Sequence, residues 1–171
     1  VIIRNNWVRE ARPEFIALLK NGNANQLWRR AAPVTAQLGY TEAERAELVD
    51  IFITYPHTEL MFPAIRMFPG IDLAEVTTQA WESHCDGEGR GGGKFACYAA
   101  RYGNRDALLA MLEEAQNKKG GELMEPQGYA CALLGRSGTV QELLEYCRAN
   151  REKLVFDPVN RCYVLKREEE K

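Results

Sequence analysis

An internal repeat is the feature of this 171-residue sequence that most constrains its fold. A shift of 35 residues aligns residues 101–109 with residues 136–144, so that an Arg, a Gly and a Leu-Leu pair coincide. A fainter copy lies 33 residues upstream, where Gly70 falls at the position of Gly103. Periods of roughly 20 to 50 residues are typical of solenoids and repeat arrays. The sequence therefore predicts stacked structural repeats.

Each copy has the pattern of a helix, a turn and a second helix. Gly103 and Gly138 stand where the first helix of each copy should end, because Gly adopts positive φ without steric penalty. Before Gly103, four of the five residues at 96–100 are Ala or Cys, and after it, four of the five residues at 108–112 are Leu or Met, so the first helix is thin on its packing face and the second is bulky. Since one hairpin cannot bury both of its faces, we expect neighbouring hairpins to stack.

These residues carry a family resemblance. The run Phe-Ala-Cys-Tyr-Ala-Ala-Arg-Tyr-Gly-Asn at 95–104, followed by a helix rich in Leu, resembles the ankyrin repeat, and 129–150 is similar to a second copy. The family's Thr-Pro-Leu-His tetrapeptide reads Lys-Phe-Ala-Cys at 94–97 and Tyr-Ala-Cys-Ala at 129–132. The resemblance implies an all-α fold of stacked helix-turn-helix repeats, an ankyrin-like helical solenoid.

The same resemblance implies a function and a set of contact residues. Ankyrin-like repeats bind another protein across a concave face, which the two variable residues before each turn Gly help to line. Those positions correspond here to Arg101 and Tyr102 in one copy and to Arg136 and Ser137 in the next. Tyr and Arg are residue types enriched at binding hot spots. We expect a protein-protein interaction module with these four partner-binding residues.

The remaining pattern predicts three regions: an N-terminal helical segment at 1–58, helical repeats at 59–165 and a charged tail at 166–171. Apolar spacing of three and four residues predicts helices in the repeat region. They fall at about 95–100, 106–115, 129–135 and 140–150, with loops at 82–94 and 117–127.

Two local signals add detail to this prediction. Thr41 followed by Glu44 has the spacing of a capping box, which predicts a helix start at that point. The run Cys162–Leu165 is the best candidate for a short strand, because it combines Tyr, Val and Leu in one stretch.

Composition limits the classes of partner. A formal net charge of −2 argues against a dominant phosphate-binding surface, so we expect no nucleic acid. No apolar run approaches the length of a membrane span, so we expect no membrane insertion. Five Cys residues without a Cys-x-x-Cys pair favour reduced thiols and a cytoplasmic location. The charged C-terminal end and the absence of an initial Met suggest a fragment of a larger protein.

Two alternatives stay open at this point. A cysteine-dependent enzyme or regulatory domain would use Cys85, with His57 or His84 as the base. An oligomerising module is the other, since repeat arrays without polar caps self-associate through apolar ends.

The sequence predicts no cofactor and no metal. The Gly-rich loop 87–93 lacks the pattern of a phosphate-binding Walker A motif, because Glu88 and Phe95 stand where that motif needs Gly and Ser or Thr. His84, Cys85 and Cys97 lack the paired spacing and the fourth ligand of a structural zinc site.

Overall fold

The computed structural model describes residues 41–54, 62–85, 93–117 and 124–166. Its contacts divide the chain into two compact units, Val1–Asp72 and Leu73–Lys171. The predicted domain boundary at residue 58 lies outside the described residues. The described part is mostly helical with a small two-stranded sheet, so an all-α class holds approximately. No helix among the described residues is long and apolar enough to span a membrane.

The first unit contains α1 (Glu42–Thr54) and α2 (Phe62–Ile65). The predicted capping box at the start of α1 is confirmed. The Thr41 backbone N–H donates to the Glu44 carboxylate at 2.7 Å, and the Glu44 N–H donates to the Thr41 hydroxyl at 3.3 Å. Phe52 of α1 stacks on Phe62 of α2 with ring centroids 6.0 Å apart, so aromatic packing joins the two helices.

The second unit contains five helices and one β-hairpin in its described residues. They are α3 (Leu73–His84), α4 (Lys94–Arg101), α5 (Arg105–Asn117), α6 (Met124–Leu134), α7 (Val140–Ala149), β1 (Leu154–Asp157) and β2 (Cys162–Leu165). The strands are antiparallel, with Val155 opposite Val164 and Phe156 opposite Tyr163. The predicted strand at Cys162–Leu165 is confirmed.

One hydrophobic core holds the second unit together. Small residues of α4 share this core with large residues of α5 and α7, because α4 packs against α5 and α5 packs against α7. Fully buried members of this core are Ala96, Ala99, Ala100, Leu108, Leu112, Leu143 and Cys147. The β-hairpin contributes Leu154 and Tyr163, which are also buried. Burial of a Leu side chain stabilises the folded state by roughly 2 kcal/mol, so this core fixes the position of the hairpin relative to α4.

The turn between α4 and α5 follows directly from two residues. Gly103 has φ 103°, and the N–H of Asn104 donates to the Ala99 carbonyl at 3.0 Å, which closes α4 in a Schellman motif. The Asn104 side chain then accepts a bond from the Ala107 N–H at 2.9 Å and caps α5. The Asn104 side-chain amide also donates a hydrogen bond of 3.1 Å to the Thr78 hydroxyl, which connects the same turn to α3.

The second hairpin ends its first helix at a different glycine. Gly135 has φ 59°, and the N–H of Arg136 donates to the Cys131 carbonyl at 3.2 Å, so α6 closes three residues before Gly138. The predicted end of this helix near residue 135 is confirmed, whereas Gly138, the glycine aligned with Gly103, does not end it. Thr139, at the position equivalent to Asn104, caps α7 in a capping box with Glu142. The 35-residue register therefore holds for the second helices and shifts by three residues for the first helices.

The two hairpins are not related by a simple translation along a stack. A translated copy would place the end of α7 beside the end of α5. Instead, Arg148 pairs with Glu113 at 2.7 Å and Arg151 pairs with Asp106 at 2.9 Å, so the end of α7 lies beside the start of α5. The helices α5 and α7 run antiparallel, and the described residues do not show a solenoid.

Two predicted loop boundaries are wrong. Helix α3 continues to His84, two residues beyond the predicted start of the loop at residue 82. Helix α6 begins at Met124, although the loop was predicted to extend to Gln127. Pro126 is compatible with this helix because it lies in the first turn, where backbone N–H groups have no partner within the helix.

Candidate functional site

The predicted contact residues Arg101 and Tyr102 lie at the end of α4. Arg101 is half-buried, and its guanidinium carbon lies 5.5 Å from the ring centroid of Tyr129 in α6. Tyr102 is the C-cap residue of α4 and is also half-buried. The Schellman turn at Gly103 fixes the backbone that carries both side chains, so their positions are set by the fold.

Arg161 approaches the same place from the β-hairpin. Its guanidinium carbon lies 5.9 Å from the ring centroid of Tyr102. Arg161 has φ 51°, a left-handed backbone conformation that favours Gly or Asn. The adjoining turn is ordered by Asp157, whose carboxylate accepts bonds from the N–H groups of Val159 at 2.9 Å and Asn160 at 3.1 Å. The side-chain and backbone bonds from Asn160 lower the pKa of Asp157, which favours its charged form.

These four side chains form one surface from three elements, which we call the tyrosine–arginine surface. It consists of two pairs, Arg101 over the Tyr129 ring and Arg161 over the Tyr102 ring, and the neighbouring residues Arg101 and Tyr102 join the pairs through the backbone at the end of α4. Each Tyr ring lies next to an Arg guanidinium, and a cation over an aromatic ring is stabilised by roughly 0.5–1 kcal/mol at exposed sites. The surface is therefore organised before any partner arrives.

The hairpin is held against the Gly103 turn by close packing. A Cβ atom at Gly103 would lie 3.0 Å from the Cδ1 atom of Phe156, which leaves no room for a larger residue. Arg105 donates to the carbonyl oxygens of Arg151 and Leu154, the latter at 3.3 Å, and so joins the start of α5 to the start of β1. These contacts set where the turn that carries Arg161 can lie.

The other two predicted residues, Arg136 and Ser137, lie elsewhere in the second hairpin. Arg136 is exposed, with its guanidinium carbon 4.0 Å from the ring centroid of Tyr146 in α7. Ser137 is exposed. Because Gly135 ends α6, both residues follow the turn glycine, whereas Arg101 and Tyr102 precede Gly103. The predicted equivalence of the two pairs is wrong.

The sequence analysis did not identify Tyr129 and Arg161 as candidate site residues. A signal for the hairpin was present, since Pro158, Val159, Asn160 and Arg161 separate two short runs rich in apolar residues. The contacts of Tyr129 and Arg161 with the α4 end depend on tertiary packing between distant segments, which repeat spacing does not encode.

Of the residues predicted for a cysteine-dependent enzyme, the structure describes His84 and Cys85. The His84 ring stacks on the Phe95 ring with centroids 4.5 Å apart, and Cys85 follows directly as the residue after α3. His57 lies outside the described residues. Within the described ranges, no group of three or more His, Cys, Asp and Glu side chains could hold a metal ion.

The Gly-rich segment is described only at its end. Gly93 has φ 51° and stands at the N-cap of α4, with no side-chain cap bond. Residues 87–92 lie outside the described residues.

A second exposed surface lies on the β-hairpin. Val155, Val164 and Leu165 are each more than two-fifths exposed and, with Lys166, line an open groove of about 590 Å³. Apolar side chains exposed together in this way often mark contact surfaces.

Comparison with known proteins supplies no relative. No protein-family model matches this chain, no curated protein matches it, and no solved structure matches its fold.

Proposed function

We propose that this chain is a protein-recognition module that binds a partner protein through the tyrosine–arginine surface. The observation that carries the proposal is the presence of two arginine–tyrosine pairs, Arg101 over Tyr129 and Arg161 over Tyr102, which three separate elements build around the end of α4. Tyr and Arg dominate binding hot spots because they combine contact area with directed hydrogen bonds.

Preorganisation supports this proposal. The Gly103 turn sets the backbone at Arg101 and Tyr102, and the hydrogen-bonded turn at Asp157 sets the backbone that leads to Arg161, whose guanidinium lies over the Tyr102 ring. Side chains that are already ordered lose less conformational entropy when a partner binds. A surface of this kind favours specific recognition of a partner over nonspecific binding.

The ankyrin-like interpretation supports the same function from the sequence. Arg101 and Tyr102 precede the turn glycine, where the resemblance places variable contact residues. Arg136, whose guanidinium lies over the Tyr146 ring, and its neighbour Ser137 remain a second proposed contact region, although they follow their turn glycine instead of preceding it. We further propose a cytoplasmic location, which the five free cysteines support, because free thiols persist in reducing compartments.

A display selection with the full chain tests the proposal. Random peptides displayed on phage are selected on the immobilised chain, and binding of the enriched peptides is then measured for the wild type and for the double variant Arg101→Ala with Tyr102→Ala. We expect affinity to fall roughly tenfold or more, as for a hot-spot pair. Circular dichroism verifies that the variant remains folded.

The matched control is Arg148→Ala. Arg148 carries the same charge as Arg101, but it is paired with Glu113 and does not belong to the tyrosine–arginine surface. Its loss should leave peptide affinity within about twofold. An unchanged affinity in a folded double variant, or a selection that enriches no peptide, contradicts the proposed function.

A further inference from the structure

Four arginines around α4, α5, α7 and the hairpin differ in their partners. Arg148 and Arg151 are neutralised by Glu113 and Asp106. Arg101 and Arg161 have no acidic partner within the described part of the chain; their side chains contact tyrosine rings. The tyrosine–arginine surface therefore carries two positive charges that the described residues do not compensate.

A guanidinium packed against an aromatic ring keeps its capacity for hydrogen bonds. Its five N–H donors lie in the plane of the group, and two of them can bind both oxygens of one carboxylate. Arg is better suited to this paired geometry than Lys, whose ammonium acts as a point charge. Arg101 and Arg161 can thus each receive one carboxylate while the tyrosine rings hold their guanidinium groups.

The backbone at Arg161 supplies an independent observation. A left-handed φ of 51° is strained for a long side chain, and Gly or Asn would adopt it more easily. Strained residues of this kind cluster at functional sites, where the surrounding structure holds them in place. Here the turn holds a guanidinium beside Tyr102.

We propose that the partner segment bound at the tyrosine–arginine surface is acidic. One carboxylate binds Arg101, another binds Arg161, and the segment between them lies over the Tyr102 ring. This inference rests on the proposed function and specifies the chemistry of its partner. A nucleic acid also presents anions, but the net charge of −2 on the chain disfavours a long polyanion.

An NMR titration of the isotope-labelled full chain tests the chemistry of the partner. The probe is a peptide that alternates Glu and Ala, compared with a peptide in which Gln replaces every Glu and with oligothymidylate. We expect the Glu peptide to shift the Arg101 and Arg161 side-chain resonances and the backbone amides of Tyr102 and Gly103. The Gln peptide should bind at least roughly tenfold more weakly, because it offers no charged acceptor.

Charge-matched variants locate the binding. Arg101→Gln and Arg161→Gln should each weaken the Glu peptide roughly fivefold to tenfold, whereas Arg151→Gln should leave its affinity within about twofold. Equal binding of the Gln peptide, tighter binding of oligothymidylate, or equal losses in all three variants would overturn the acidic partner.

The two proposals fail in different ways. If displayed peptides depend on Arg101 and Tyr102 but the Glu and Gln peptides bind alike, protein recognition stands and the acidic chemistry is wrong. If the display selection finds no peptide that depends on these residues, the proposed function itself is wrong.

Discussion

The Tyr163 hydroxyl donates a hydrogen bond of 2.9 Å to the backbone carbonyl of Ala100, across 63 residues of chain. Tyr163 lies within β2 and Ala100 in the last turn of α4, so the bond joins these two elements. Both residues are buried. Phe156 packs edge-on against the Tyr163 ring with centroids 5.2 Å apart. This connection holds the hairpin, and with it Arg161, beside the end of α4 that carries Tyr102.

Replacing Tyr163 with Phe removes this hydrogen bond and keeps the ring. The Ala100 carbonyl still accepts from the Gly103 N–H at 3.3 Å, so it is not left without a donor. We therefore expect a loss of about 1 kcal/mol in the free energy of unfolding, measured by urea denaturation. A loss above about 3 kcal/mol would show that the bond does more than join the hairpin to α4.

Gly103→Ala should destabilise the second unit by at least about 2 kcal/mol. The new Cβ would contact Phe156 at 3.0 Å, and a φ of 103° is unfavourable for Ala. Thermal unfolding measures the loss, and Gly128→Ala is the matched control because nothing lies within 4 Å of its added Cβ. Since Gly128 lies in α6, its replacement should be neutral or stabilising. Equal effects at both glycines would contradict the turn geometry.

Arg161→Gly should separate stability from binding. Gly adopts a φ of 51° freely, so the free energy of unfolding should stay the same or rise by up to about 1 kcal/mol. Binding of selected peptides should weaken, because the guanidinium beside Tyr102 is gone. The two quantities are measured by urea denaturation and fluorescence polarisation. A variant that binds as well as the wild type would remove Arg161 from the surface.

Alkaline pH should destabilise the chain through Cys147. Burial raises the pKa of this thiol from 9.0 to about 11, and burial also raises the pKa of Tyr163. Below pH 9 both groups are protonated in the folded and unfolded states, so their contribution to the free energy of unfolding is fully present. Between pH 9 and pH 11 the unfolded thiol ionises first, which lowers the free energy of unfolding by on the order of 2 kcal/mol.

Urea denaturation at a series of pH values measures this dependence, with Cys147→Ala as the control. The variant should lose the part of the slope that the thiol causes. Cys147 should also be the slowest of the described cysteines to react with a thiol reagent, because it is fully buried. Fastest labelling at Cys147 would contradict the packing, whereas selective labelling at Cys85 would support the cysteine-enzyme alternative.

Local sequence signals predicted the helices well and their arrangement poorly. The Thr41 capping box, the Leu-rich second helices and the strand at Cys162–Leu165 each depend on residues close in sequence. The strand partner Leu154–Asp157 was not predicted, although the turn at 158–161 separates it from the predicted strand as in a hairpin. The antiparallel arrangement of α5 and α7 depends on packing between distant residues, which periodicity does not specify.

The site residues also divide into those that local sequence signals predict and those that depend on tertiary packing. Arg101 and Tyr102 could be singled out because they precede a turn glycine in a recognisable hairpin. Arg136 and Ser137 were paired with them on the assumption that Gly138 ends α6, and Gly135 does so instead. Tyr129 and Arg161 join the surface only through tertiary contacts, so no local pattern marks them.

Isothermal titration calorimetry of a display-selected peptide with charge-matched variants tests the central claim most directly. Arg101→Gln and Arg148→Gln remove the same charge, one from the tyrosine–arginine surface and one from the ion pair with Glu113. Recognition through this surface predicts a Kd roughly tenfold higher for Arg101→Gln and a change within about twofold for Arg148→Gln. Equal affinities of both folded variants and the wild type would contradict it.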